Sequence, residues 1–208
     1  CSFILALCFV PFAFLVYPWF DYMDGCEHAA AIRELSYSFS TPQNPYLNLP
    51  GTTSPRFVPS ILLMAGVQKL FNPELFTLLG FFSVSCFIAL GIGVYLFTRE
   101  YFEDACQPFY TLLCILFLWG KGWDGANAYM FSSLVVNAYY PSIVSFVAGF
   151  FALFALLSYL KRHAVIHYSI FAILSMVIFL NHPVTGFLFF IMAFLLIITE
   201  GYAGVKNL

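Results

Sequence analysis

The residue types that could carry chemistry gather in one polar stretch of the chain, residues 20–57, which lies between apolar segments. Six charged or titratable side chains fall within fourteen positions of it: Asp21, Asp24, Glu27, His28, Arg33 and Glu34. Carboxylates and imidazoles are the groups that most often move protons in enzymes. The stretch therefore predicts a site for acid–base chemistry, with Asp24, Glu27 and His28 as the candidate catalytic residues.

The same carboxylates could instead hold a metal ion. Asp24 and Asp21, with Glu27 nearby, offer the oxygen ligands that suit Mg²⁺ or Mn²⁺, so we expect a divalent cation as a cofactor. A structural alternative stays open, because Asp24-Gly-Cys-Glu27 also has the form of a capping box. Asp24 would then be the N-cap of a short helix over residues 27–37, with Glu27 reaching back to its start.

The segments around this stretch are predicted to be membrane helices. The chain has more apolar surface than a soluble core could bury, so lipid must surround much of it. The chain has 208 residues, of which 62% are hydrophobic and only 9% are charged, whereas soluble domains carry about 25% charged residues. It has no basic run that would indicate nucleic acid. The six cysteines are scattered without a CxxC motif, which indicates that they pack as small hydrophobic side chains rather than form a disulfide framework.

The apolar runs predict an all-α, polytopic transmembrane bundle that forms a single domain over residues 1–208. About six spanning helices are expected, with one or two interfacial helices in the first outer loop. The predicted spans are residues 2–20, 74–98, 106–119, 141–160, 165–181 and 184–200, and the predicted loops are 21–57 and 120–140. The chain begins at Cys1 and ends just after an apolar run, so we expect a fragment of a longer protein.

The basic residues decide the orientation of these helices. If residues 57–71 crossed the membrane, then Arg99 and Lys161 would lie on the same side as the polar stretch, against the positive-inside rule. If residues 57–71 lie along the interface instead, Arg99, Lys161-Arg162 and Lys206 fall on the cytoplasmic side. The polar stretch, Lys121 and His182 then fall on the non-cytoplasmic side. We therefore predict a multi-pass integral membrane protein with its site on the non-cytoplasmic face.

Positively charged or imidazole side chains on that outer face could bind phosphate. The candidate substrate-binding residues are Arg56, Lys121 and His182. Each has an ordinary alternative, because Arg56 could anchor the interfacial helix to lipid headgroups and His182-Pro183 could be a helix break. All three residues are predicted to lie on the same side of the membrane, which favours a common phosphorylated ligand.

The order of these features resembles the GT-C superfamily of polytopic glycosyltransferases, which includes the protein O-mannosyltransferases and the aminoarabinose transferases. The matching pattern is Asp24, His28 and Arg33-Glu34-Leu35, followed by SPRFVPSILLMAGVQKLF and GVYLFTREYF. It covers residues 20–102 at the level of motifs. Many members have adjacent Asp-Glu where this chain has Asp24-Gly25.

The resemblance implies transfer of a sugar from a polyprenyl-phosphate donor to an acceptor at the non-cytoplasmic face. Asp24 matches the acidic residue that acts as general base or metal ligand in the family. The implied partners are the donor, the membrane lipids and an unspecified acceptor. A multi-pass transporter or a non-catalytic membrane subunit is the alternative, although the charges lie at the ends of the apolar segments rather than at mid-membrane.

Overall fold

The computed structural model describes residues 23–47, 51–102, 104–118 and 138–206. Over these residues the chain forms helices and no strands, so the predicted all-α class is confirmed. The predicted span at 2–20, Asp21 and most of the predicted loop 120–140 lie outside the described residues. The helices are α1 Met23–Tyr37, α2 Pro59–Phe71, α3 Leu75–Phe102, α4 Gln107–Phe117, α5 Pro141–Arg162, α6 Val165–Asn181 and α7 Pro183–Lys206.

Three of the described helices are long and apolar enough to cross a membrane: Leu75–Phe102, Pro141–Arg162 and Pro183–Glu200. At a rise of about 1.5 Å per residue, each of them approaches or exceeds the ~30 Å hydrocarbon thickness. The apolar helices α4 and α6 are shorter, with 11 and 17 residues. The three long helices indicate a membrane protein, and the six-span arrangement stays a prediction.

Proline sets the starting points of several helices. Pro59, Pro141 and Pro183 are the first residues of α2, α5 and α7, where the missing N–H costs nothing and the fixed φ suits the helix. Asn72 and His163 follow the ends of α2 and α5 in the left-handed conformation, with φ of 46° and 53°. These local signals divide a largely apolar sequence into separate helices.

Helix α5 is the centre of the described bundle. It packs against α3, α6 and α7, and 56% of its apolar window is buried, compared with 33% for α3 and 28% for α7. Gly93 of α3 allows the close approach of α3 to α5, since a Cβ there would lie 3.1 Å from the Cβ of Phe150. Small residues commonly permit such contacts between membrane helices.

Ion pairs define one end of the bundle. Lys161 donates to the backbone carbonyl of Glu100 over 2.6 Å, and Arg162 donates to both carboxylate oxygens of Glu100 over 3.0 and 3.1 Å. The C-terminal ends of α3 and α5 therefore lie side by side, and we call this the basic end. The starts of α3 and α5 lie at the opposite end.

Candidate functional site at the polar end

Asn181 joins three helices at the end opposite to the basic end. Its Oδ1 accepts a hydrogen bond from the backbone N–H of Ser60 over 2.9 Å. Its Nδ2 donates to the carbonyl of Pro141 over 2.8 Å and to Oγ of Ser145 over 3.2 Å. The last residue of α6 thus holds the first turns of α2 and α5, and α7 begins two residues later. We call this region the polar end.

The polar end collects the N-termini of α2, α5 and α7. The first N–H groups of a helix have no partner within the helix, and the helix dipole leaves a partial positive charge there. Three such starts within one region favour the approach of an anion.

Arg56 and Glu27 form an ion pair at this end. The Nε and Nη2 atoms of Arg56 donate to Oε2 of Glu27 over 2.9 and 2.6 Å, and both side chains are a little more than a third exposed. The hydroxyl of Tyr46 donates to the backbone carbonyl of Glu27. Burial, followed by the charge of Glu27, raises the pKa of Tyr46 to about 12. The ion pair between Arg56 and Glu27 therefore holds the loop that precedes α2 against the first turns of α1.

His28 lies behind this pair in an aromatic pocket. It is only 2% exposed, and the centroids of the Tyr140 and Tyr139 rings lie 4.8 and 6.3 Å from that of its own ring. Its Nδ1 has no hydrogen-bond partner among the described residues. Burial, and then the charge of Arg56, lowers the pKa of His28 to about 4, against an opposing effect of Glu27. The imidazole is therefore neutral at pH 7.

Gly25 brings Tyr139 against the backbone of α1. A Cβ at position 25 would lie 2.8 Å from the hydroxyl oxygen of Tyr139 and 3.7 Å from that of Tyr140, so any larger residue would force Tyr139 to shift. Neither tyrosine was a predicted site residue. The only sequence signal for them is an aromatic pair directly before Pro141, where α5 begins.

His182 caps α7. Its Nδ1 lies 2.8 Å from Oγ1 of Thr185 and accepts the backbone N–H of Thr185 over 3.2 Å. An accepting Nδ1 assigns the proton of the neutral ring to Nε2. Burial, and then the charge of Arg56, lowers the pKa of His182.

Four of the predicted site residues therefore lie at the polar end: Glu27, His28, Arg56 and His182. The backbone of Asp24 is in the first turn of α1, one turn before His28 on the same face of the helix. The Asp24 side chain, Asp21 and Lys121 lie outside the described residues. Within the part of the chain whose side chains are described, no group of three His, Cys, Asp or Glu residues could hold a metal ion.

The predicted capping box is wrong in its register. Helix α1 begins at Met23, so Asp24 is a helical residue of the first turn and not the residue before the helix. The Glu27 carboxylate contacts Arg56. The two N–H donors of the guanidinium give a charge-assisted contact, which is stronger than a contact with a neutral backbone N–H.

No family model, curated protein or solved structure matches the chain. The resemblance to GT-C transferases therefore rests on the residue pattern within 20–102.

Proposed function

We propose that this chain is a membrane glycosyltransferase that transfers a sugar from a polyprenyl-phosphate donor to an acceptor at the polar end. One observation carries the proposal. Arg56 pairs with Glu27, and its charge adds to the effect of burial in lowering the pKa of His28 and of His182. Residues from three distant parts of the sequence thus form one cluster, which combines a cation with acid–base groups.

Phosphate recognition is the first task of such a site. The guanidinium of Arg56 and the Nε2–H of His182 supply donors, and the starts of α2, α5 and α7 add partial positive charge. Glu27 orients Arg56 through two hydrogen bonds to one oxygen. A departing phosphate gains negative charge during the transfer, so donors already fixed in position lower the barrier.

The lipid part of the donor needs an apolar surface beside the phosphate site. The first two turns of α7 supply it, because Val184, Phe187 and Leu188 are 65%, 64% and 57% exposed. These side chains lie two to six positions after His182 in the chain. A polyprenyl tail along this surface would keep its phosphate at the level of Arg56 and His182.

The transfer itself is a substitution at the anomeric carbon of the sugar. The acceptor oxygen forms a bond to that carbon, the bond from the carbon to the phosphate oxygen breaks, and the acceptor proton moves to a carboxylate. We assign the carboxylate role to Asp24, which matches the acidic residue of the GT-C transferases and lies one helical turn from His28. A Mg²⁺ or Mn²⁺ ion held by Asp24 and Asp21 would add positive charge near the phosphate, and no step depends on it.

We infer the side of the membrane from charge. Arg99, Lys161 and Arg162 lie at the basic end, and basic residues favour the cytoplasmic side. The polar end would then face the non-cytoplasmic side, as the resemblance implies.

One observation favours a second candidate, a non-catalytic membrane subunit. The Glu27 carboxylate is already paired with Arg56, and His28 is almost fully buried. A purely structural cluster would have the same contacts. A transporter has less support, since the described spanning helices carry their charged residues near their ends.

The test is sugar transfer by the full chain in proteoliposomes, with a panel of synthetic polyprenyl-phosphate sugars and release of polyprenyl phosphate as the readout. We expect Asp24→Asn to reduce turnover by about 10²-fold or more, since a general base contributes about 10²–10⁴-fold. Asp104→Asn is the matched control. Asp104 precedes α4 at the basic end, and its Oδ1 accepts the N–H of Cys106 over 2.9 Å, a contact that asparagine retains.

Full activity in Asp24→Asn would refute the assignment of the base. Absence of turnover with every donor, in a wild-type chain that is folded, would favour the non-catalytic subunit.

A further inference from the structure

A cleft lies away from the Arg56 cluster, between the ends of α1 and α2 and the start of α3. Its volume is about 310 Å³, and its lining includes Arg33, Tyr37, Gln68, Lys69 and Asn72. The lining contains two cationic side chains and no acidic one. The cleft therefore suits an anionic ligand.

The two cations stand over aromatic rings. The guanidinium carbon of Arg33 is 5.9 Å from the centroid of the Tyr37 ring, and Nζ of Lys69 is 5.7 Å from that of Phe39. Neither cation forms an ion pair with an acidic residue in the described part of the chain. Cation–π contacts orient the two side chains without neutralising their charge.

The chain next to Lys69 is apolar and exposed. Leu70 and Phe71, the last residues of α2, are 79% and 76% exposed. Gln68 fixes this end of the helix, since its Nε2 donates to the carbonyl of Pro73 over 3.0 Å. Helix α2 has 13 residues, too few to span a bilayer. A short helix that ends in a basic residue beside exposed Leu and Phe is typical of the membrane interface.

We propose that this cleft binds the phosphate of an anionic glycerophospholipid. Arg33 and Lys69 contact the phosphate, and Leu70 and Phe71 lie among the acyl chains. The charges of the cleft match the headgroup, and the adjoining apolar residues match the lipid tails, which a soluble phosphate lacks. The bound lipid holds the end of α2 at the interface, and this role is independent of sugar transfer.

The experiment is native mass spectrometry of the full chain in a neutral detergent, titrated with phosphatidylglycerol or with phosphatidylcholine. We expect phosphatidylglycerol to bind more tightly. Substitution of Arg33→Gln or Lys69→Gln should weaken its binding about fivefold, and the double variant about 25-fold, since each basic residue near an anionic lipid surface contributes a factor of about five. Phe71→Ser should also weaken it, because the serine removes an apolar contact with the acyl chains.

Arg99→Gln is the matched control. Arg99 lies at the basic end, also over an aromatic ring, with its guanidinium carbon 5.6 Å from the Tyr95 centroid, and it lines a separate cleft. This variant should keep the phosphatidylglycerol affinity of the cleft. Equal binding by the double variant and the wild type would overturn the proposal, as would an equal loss in Arg99→Gln. Displacement of the lipid by glycerol phosphate at the same concentration would also overturn it, because the ligand would then be a soluble phosphate.

Discussion

His28 should make the folded protein sensitive to acid. Its pKa lies near 6.5 in the unfolded chain and at about 4 in the folded one. Between these values the unfolded state binds a proton that the folded state does not, so the free energy of unfolding falls as the pH falls from 6.5 to 4. At about 1.4 kcal/mol per pKa unit, His28 should remove roughly 3 kcal/mol over that interval. Above pH 6.5 its effect should vanish.

The assay is unfolding of the full chain in a neutral detergent, followed by helical circular dichroism at pH 7 and at pH 4. We compare wild type with His28→Gln, a variant that retains a polar side chain but does not titrate. The variant should lose roughly 3 kcal/mol less than wild type between the two pH values. Burial and the charge of Arg56 also lower the pKa of His182, which acts in the same direction, so the difference between the two proteins is the informative quantity.

His163→Gln serves as the control, because it changes a histidine at the basic end and leaves His28 intact. It should keep the acid sensitivity of the wild type. If His28→Gln lost as much stability as wild type between pH 7 and pH 4, the buried imidazole would not be the cause, and the placement of His28 between Tyr139 and Tyr140 would be wrong.

Two further substitutions, Gly25→Ala and Asn181→Ala, test the packing of the polar end by the same unfolding assay, and Gly66→Ala is the control for the first. Gly25→Ala should destabilise the protein by about 1–3 kcal/mol, since its Cβ would meet the hydroxyl of Tyr139, a residue only 2% exposed. Gly66→Ala, where no atom lies within 4 Å of the new Cβ, should be neutral or stabilising, and equal effects of the two would contradict the argument. Asn181→Ala should cost about 2–4 kcal/mol, because it leaves the buried N–H of Ser60 without its acceptor. A loss below about 0.5 kcal/mol, typical of surface changes, would show that the contact is not made.

Local sequence signals predicted the all-helical class of the described residues. Long apolar runs gave the all-helical class, and proline marked the starts of α2, α5 and α7. The break at Asn181-His182-Pro183 is also local, since α6 ends at Asn181 and α7 begins at Pro183. Each of these features depends on residues within a few positions of one another.

The contacts of the polar end could not be predicted in the same way. Glu27 pairs with Arg56, 29 positions away, and Asn181 binds Ser60, 121 positions away. A local pattern contains no information on such partners. For this reason the sequence predicts Glu27 as a catalytic residue or as part of a capping box, and does not predict its ion pair with Arg56.

The polar residues that fix the packing were also missed. Asn181 is a single amide in an apolar region of the sequence. The only indication of its role is that a polar side chain inside a membrane bundle needs hydrogen-bond partners. The aromatic pair Tyr139-Tyr140 has no predicted role in the sequence beyond its place in the loop 120–140, whereas both rings contact His28. Their role depends on the close approach of α1, which a single sequence does not reveal.

The contact between Ser60 and Asn181 has a consequence for biosynthesis. Helix α2 packs against α1, which precedes it, but its hydrogen bond to Asn181 can form only after the ribosome has added the 121 residues that separate Ser60 from Asn181. At about 5–20 residues per second, this delay is roughly 6–24 s. During that interval the backbone N–H of Ser60 lacks its acceptor, so the start of α2 depends on its packing against α1 and α3, helices that are synthesised before Asn181.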